Sequence, residues 1–189
     1  MKEIDPRRAR LIVRMAEKGI NSPPTSSCGR LFDAISAIAG VRTVISYEAQ
    51  AAMELENEGW EAGGLDVEAP PYGWDLIEGS DGYSIDMSET IRGAVRDVLE
   101  GKGKGWISLR FHRTVAEVIL EVCRLIRRRF GLGRVILSGG VFQNRILLNL
   151  AVGLLERGGF EVFINRVVPP NDGGISLGQA YIAAFRVRG

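Results

Sequence analysis

Apolar residues recur along this chain at the three- and four-residue spacing of amphipathic helices. One predicted helix runs from Cys28 to Ala39 and places its large apolar side chains on one face, namely Leu31, Phe32, Ile35 and Ile38. The same spacing and a helix-forming composition predict six further helices, at 6–18, 46–56, 90–99, 114–126, 144–157 and 175–186. Two short apolar runs are typical of buried strands, Arg134–Leu137 and Phe160–Ile164.

Two capping boxes refine the helix starts in the middle of the chain. Asp86 with Glu89 predicts the start of one helix, and Thr114 with Glu117 predicts the start of the next. The glycine-lysine stretch 101–105 between them is predicted to be a flexible loop or turn.

The glycine distribution divides the chain. Residues 59–85 are interrupted by glycine and proline, so only short strands are possible there, at 74–77 and 83–85. The last 60 or so residues alternate strand, glycine turn, helix, strand, loop and helix, which is typical of an α/β fold with parallel strands. We therefore expect a helical part at about 1–58, an irregular excursion at about 59–85 and an α/β part at about 86–189.

Composition excludes several classes of protein. The 189 residues are 46% hydrophobic and carry a net charge of +1, which excludes global disorder and argues against a nucleic-acid partner. Two cysteines make no disulfide framework and their spacing fits no zinc motif. There is no membrane-length apolar run and no signal-peptide layout, so a soluble, cytoplasmic protein is predicted. A single histidine, His112, predicted just before a helix, disfavours a self-contained metal site.

Two polar loops precede helices in the α/β part. Gly139 and Gly140 follow a buried strand, and the helix after Asn144 is expected to offer free N–H groups to an anion; a tight strand-to-helix turn is an equal alternative. Asp172 lies in the second loop and can ligate a metal, although capping the final helix is its more common role. Both loops follow strands and can share one crevice.

A third candidate region surrounds the start of the second helix. Asp33 lies within this helix, where its carboxylate can accept hydrogen bonds from ribose hydroxyls or remain a surface charge. Cys28 can act as a nucleophile, but a lone cysteine beside small residues is more often packed.

Five ordered segments together resemble the HypF family, the carbamoyltransferases of [NiFe]-hydrogenase maturation. They are Asn21–Ile35, Ile45–Glu56, Arg110–His112, Leu137–Arg145 and Asn171–Gln179. The resemblance runs from about residue 11 to the C-terminus, and it extends more distantly to tRNA threonylcarbamoyl transferases. It implies one lobe of an actin-like ATPase (ribonuclease H-like) fold, with a nucleotide bound between two lobes.

The resemblance also implies a reaction and a site. Family members form carbamoyl-adenylate from carbamoyl phosphate and ATP, and pass the carbamoyl group to the C-terminal cysteine of the partner HypE. In that picture Gly139, Gly140 and Asn144 hold ATP or carbamoyl-adenylate, and Asp33 and Glu48 meet the ribose. Asp172 is the ligand of a divalent metal, which is zinc, iron or magnesium.

The chain also departs from the family pattern. The family's metal needs a pair of histidines from the first lobe, and this sequence lacks them. We therefore expect the chain to correspond to the second lobe alone and to be incomplete without a first lobe. Whether the isolated chain is an enzyme stays open. The alternatives are a non-catalytic module for partner binding or assembly, and a sugar-kinase-like lobe of the same superfold.

Overall fold

The computed structural model describes residues 5–80 and 82–187, and the side chain of residue 187 is not part of that description. The described part contains seven α-helices and four strands. In chain order they are α1 Pro6–Glu17, α2 Cys28–Ile38, α3 Gln50–Glu61, β1 Asp75–Gly79, β2 Gly82–Asp86, α4 Ser88–Leu99, α5 Lys104–Phe130, β3 Arg134–Leu137, α6 Arg145–Arg157, β4 Glu161–Ile164 and α7 Ile175–Val187.

The strands form two small sheets. β3 and β4 pair in parallel, with Arg134 opposite Glu161 and Leu137 opposite Ile164, and α6 is the crossover between them. β1 and β2 form an antiparallel hairpin within the stretch that the glycines interrupt. The predicted α/β class with parallel pairing is therefore confirmed, and the two short strands considered possible at 74–77 and 83–85 are present as β1 and β2.

The core is built around α5, against which α2, α3, α4 and α6 pack. Its largest fully buried apolar side chains come from four helices: Phe32, Ile35, Leu55, Ile107, Phe111, Ile146, Leu147 and Leu155. Ile146, Leu147 and Leu155 recur at helical spacing, so one face of α6 covers α5. Burial of these side chains contributes most of the free energy that holds the helices together.

Two glycines bring α3 and α5 into close contact. A Cβ added at Gly105 would collide with the carbonyl oxygen of Glu58 in α3, and one at Gly59 would lie 2.9 Å from Ser108 Oγ in α5. The hydroxyl of Ser108 donates to the carbonyl oxygen of Leu55 at 2.5 Å. The two helices therefore pack nearly backbone to backbone, with a position set by main-chain atoms.

The predicted start of the long helix is wrong. α5 begins at Lys104, inside the stretch predicted to be a loop, and continues through Thr114 without interruption. The Thr114 hydroxyl donates to the carbonyl oxygen of Arg110 and accepts from the N–H of Tyr72, so it links two segments instead of capping a helix. A Thr with a Glu three residues later occurs inside helices as well as at helix starts. Only tertiary contacts distinguish these two positions.

Two other predicted helix starts are also displaced. α3 begins at Gln50, four residues after the predicted start, because Ala49 has a left-handed φ of +61° and the Gln50 side chain accepts from the N–H of Ser46. α4 begins at Ser88 with Met87 as its N-cap residue, whereas Asp86 accepts only from the N–H of Ser88.

Three faces of the molecule remain open. α1 is exposed along most of its length, and α7 carries Tyr181 and Phe185, each about two-thirds exposed. Ile136 of β3 is 74% exposed on the parallel sheet. Of the helices in the described residues, none is long and apolar enough to cross a membrane.

Candidate functional site

The two polar loops predicted from the sequence meet at the carboxyl ends of β3 and β4. The N–H of Gly139 donates to the carbonyl oxygen of Pro170 at 2.8 Å, which ties the first loop to the second. Gly139 has φ +107° and open space around its Cα, and a Cβ added at Gly140 would lie 3.9 Å from Asn171 Cβ. The two loops therefore lie side by side, and Gly139 and Gly140 contribute no side chain to the surface between them.

The expectation that the helix after this loop offers free N–H groups to an anion is wrong. One carboxylate oxygen of Glu56 in α3 accepts from the N–H groups of Arg145 at 2.7 Å and Ile146 at 3.3 Å. The side chain of Asn144 accepts from the N–H of Leu147 at 2.9 Å. Since the N–H of Asn144 donates to the carbonyl oxygen of Val141, all four N–H groups that a helix start leaves unpaired are thus satisfied by this chain itself.

His112 holds the other end of the Asn144 side chain. It lies within α5, eight residues after the helix begins, and not before a helix, and it is completely buried. Its Nδ1 is 2.7 Å from the carbonyl oxygen of Ser108, an atom that only accepts, so Nδ1 carries the proton. Nε2 is then the acceptor for the amide nitrogen of Asn144 at 2.8 Å. Because burial outweighs the hydrogen bond to the Ser108 carbonyl, the pKa of His112 is lowered to about 4, and the ring is neutral at pH 7.

The donors that remain free lie one turn earlier. In the part of the chain that the structure describes, neither the N–H of Gly140 nor that of Val141 has a protein acceptor. Both belong to a short 3-10 turn, Gly140–Gln143, that leads into α6. Backbone donors on an open loop beside a second polar loop can bind phosphate or carbonyl oxygens.

Asp33 and Glu48 lie outside this network. Asp33 is half-buried in α2, and Glu48 is exposed in the turn before α3. Burial raises the pKa of the Cys28 thiol at the start of α2, which favours the packed alternative over a nucleophile. The ribose roles of Asp33 and Glu48 stay predictions.

Asp172 lies in the second loop, within the 3-10 turn Asp172–Gly174, and it is exposed. Its neighbour Asn171 makes the capping contact instead, by accepting from the N–H of Gly173 at 3.1 Å. Across residues 5–80 and 82–187, no three His, Cys, Asp or Glu side chains cluster closely enough to hold a metal ion. The carboxylate of Asp172 can therefore supply one ligand, but these residues do not complete a site.

A second polar cluster, which the sequence patterns do not predict, lies near the C-terminal end of α4. Arg110 and Asp97 form an ion pair at 2.8 Å, and the Tyr72 hydroxyl donates to the same carboxylate oxygen at 2.7 Å. The guanidinium also donates to the carbonyl oxygen of Pro70 and lies 4.0 Å from the centre of the Tyr72 ring. These contacts fasten the segment before β1 to α4 and α5, so Arg110 has a structural role here.

Comparison with known proteins places the chain in a family. Residues 1–179 match the family model described as "Carbamoyltransferase, Kae1-like Domain, second subdomain". The chain is 39% identical over 172 residues to the carbamoyltransferase HypF of Rhizobium leguminosarum bv. viciae, a match covering 89% of this chain and 21% of that protein. It is 34% identical over 185 residues to a carbamoyltransferase HypF homolog of Cupriavidus necator, covering 93% of this chain and 45% of that protein.

A solved structure agrees with these matches. The crystal structure of full-length HypF in the phosphate- and nucleotide-bound form superposes with a TM-score of 0.88 at 40% identity, over 98% of this chain and 24% of that one. The chain thus spans less than half the length of each of these relatives. The chain belongs to the HypF carbamoyltransferase family, in which it corresponds to the second subdomain of the Kae1-like domain.

Proposed function

We propose that this chain is the nucleotide-binding lobe of a carbamoyltransferase. In the proposed reaction the carbamoyl group passes from carbamoyl-adenylate to the C-terminal cysteine of a HypE-like acceptor, in [NiFe]-hydrogenase maturation. The observation that carries the proposal is the pair of loops at the carboxyl ends of β3 and β4, joined by the bond from Gly139 to Pro170. A relative of the same fold is described as phosphate- and nucleotide-bound.

The loop residues suit a nucleotide. Gly139 and Gly140 let a ligand approach the main chain, and the free N–H groups of Gly140 and Val141 are donors for its phosphate oxygens. The amide of Asn144 has one N–H and one oxygen lone pair left after its two hydrogen bonds, so a direct contact remains available to it. Asp33 and Glu48 are proposed to meet the ribose.

Asp172 is proposed to supply one carboxylate ligand to a divalent metal, with histidines from the preceding lobe completing the set. A bound cation would polarise the carbamoyl carbonyl and neutralise phosphate charge. In the transfer itself, the thiol sulfur of the acceptor forms a bond to the carbamoyl carbon while the bond to the phosphate oxygen breaks. AMP leaves, and the thiol proton passes to solvent.

Calorimetric titration tests the nucleotide role. ATP and a non-hydrolysable carbamoyl-adenylate analogue are titrated into the chain alone and into the chain reconstituted with a first subdomain. We expect saturable binding in the reconstituted protein. Absence of binding there would refute the proposal.

The metal role needs a separate test. Asp172→Ala is expected to abolish retention of the metal by the reconstituted protein, measured by native mass spectrometry. Asp66→Ala is the matched control, because Asp66 is also an exposed aspartate in a 3-10 turn but lies in the first half of the chain, before β1. Equal metal content in both variants would contradict the ligand assignment.

The exposed apolar faces favour a second function, that of a partner-binding or assembly module. Ile136 on β3 and the α7 residues Tyr181 and Phe185 present apolar surface that nothing in the described residues covers. Such surface promotes association. Light scattering after size exclusion tests this alternative, and a monomer that captures no partner would count against it.

A further inference from the structure

Two side chains from other helices hold the loop at 138–144 where it enters α6. Glu56 reaches from α3 to the N–H groups of Arg145 and Ile146, and His112 reaches from α5 to the amide of Asn144. We propose that Glu56 and His112 are positioning residues that fix this loop in the conformation that binds nucleotide. The inference rests on the nucleotide-binding role proposed above and adds two residues to that site.

The carboxylate of Glu56 does two things at the start of α6. It satisfies the first two N–H groups of the helix, and its negative charge occupies the position where the helix dipole favours an anion. A phosphate group is therefore excluded from the helix start by both occupancy and charge. The donors left for it are the N–H groups of Gly140 and Val141 in the preceding turn.

Glu56 can set the position of the loop because its own helix is fixed. The close approach of Gly59 to α5 and α6, and of Gly105 to the main chain of α3, leaves α3 little freedom to shift. The indole N–H of Trp60 donates to the same oxygen of Glu56 at 3.2 Å and orients the carboxylate further.

His112 sets the orientation of the Asn144 amide. Since Nδ1 donates to the carbonyl oxygen of Ser108, Nε2 can only accept, and the amide nitrogen must face the ring. The amide oxygen then faces the N–H of Leu147, as capping requires. A flipped amide would place its N–H groups against the N–H of Leu147, and its oxygen against the acceptor Nε2. The tautomer of His112 therefore determines the orientation of the Asn144 amide at the end of the loop.

Variants of Glu56 test the inference in the reconstituted protein. Glu56→Ala removes both bonds to α6, and we expect the amide hydrogens of Arg145 and Ile146 to exchange at least about tenfold faster and ATP to bind about tenfold more weakly. Glu56→Gln keeps an acceptor oxygen, so amide exchange and ATP affinity should both stay close to their wild-type values. Glu58→Ala is the matched control, because Glu58 lies on the same helix but its carboxylate pairs with Lys104 at 4.0 Å and not with α6, so neither readout should change.

The outcomes separate positioning from a general loss of stability. Equal effects of Glu56→Ala and Glu58→Ala would overturn the inference, as would unchanged ATP affinity in Glu56→Ala. If the wild-type protein binds no ATP, the proposed function fails instead. The positioning of the loop is then judged from the amide chemical shifts of Gly140 and Val141, which must change in Glu56→Ala and not in Glu58→Ala.

Discussion

The protonation of His112 is a sharp test of the structure, because this is the one histidine among 189 residues. A single imidazole gives one Cε1–H resonance, so its titration cannot be confused with that of another histidine. In the folded chain the ring is completely buried against Phe32 and Phe111. Burial lowers its pKa to about 4, although the hydrogen bond to the Ser108 carbonyl acts in the opposite direction.

The direction of the pH effect follows from the two pKa values. An unfolded chain binds the proton with a pKa of about 6.5, so between about pH 6.5 and 4 the unfolded state holds more protons than the folded one. The stabilisation from neutral His112 is complete above about pH 6.5 and is lost as the pH falls through this window. The difference between a pKa of about 6.5 and one of about 4 corresponds to roughly 3 kcal/mol of unfolding free energy.

Two measurements check this expectation. The Cε1–H resonance is followed from about pH 8 to 4, and urea unfolding is followed over the same range. We expect no imidazole titration above about pH 5 while the chain is folded, and a progressive loss of stability below about pH 6.5. A midpoint near the ordinary value of about 6.5, or a flat unfolding free energy between about pH 7 and 5, would refute the burial argument.

Three further predictions follow from packing and the second polar cluster. Gly105→Ala drives a Cβ into the Glu58 carbonyl oxygen and should lower the unfolding free energy by about 2 kcal/mol in urea titration. In Gly153→Ala the added Cβ meets only the flexible end of an arginine, so this variant should raise the unfolding free energy by up to about 1 kcal/mol. A change of the same sign in both variants would contradict the packing argument. Burial, and after it the hydrogen bond to Asp97, raises the pKa of Tyr72. The unfolding free energy should therefore fall above about pH 10 by up to about 1.4 kcal/mol for each pH unit. Tyr72→Phe should flatten that slope in alkaline unfolding, and an unchanged slope would contradict the assignment.

Elements with a purely local signal were predictable. β3 has the bounds that its apolar run predicts, and α6 begins one residue after the start predicted from apolar spacing. Both depend on residues adjacent in sequence, where alternating burial, glycine turns and caps act within a few positions. The parallel pairing of β3 with β4 follows from the same order of elements.

The start of α5 was not predictable in this way. The glycine-lysine stretch is a poor helix former, yet Gly105 is helical because α3 lies against it and would clash with any larger residue. Tertiary packing overrides propensity at this point. Because the predicted start is misplaced, the sequence puts His112 just before a helix, whereas in the structure it is buried within α5.

The start of α6 shows why a glycine turn before a helix is insufficient evidence for an anion site. The local pattern at residues 138–144 predicts free N–H groups, and the pattern is correct about the turn and the helix. What it omits is Glu56, 89 positions before Arg145, whose carboxylate already serves as the anion at that helix start. Since the helix is neutralised from within the chain, a bound phosphate must use the donors of Gly140 and Val141 instead. Any nucleotide bound by this lobe is therefore expected to contact the turn before α6 and not the helix itself.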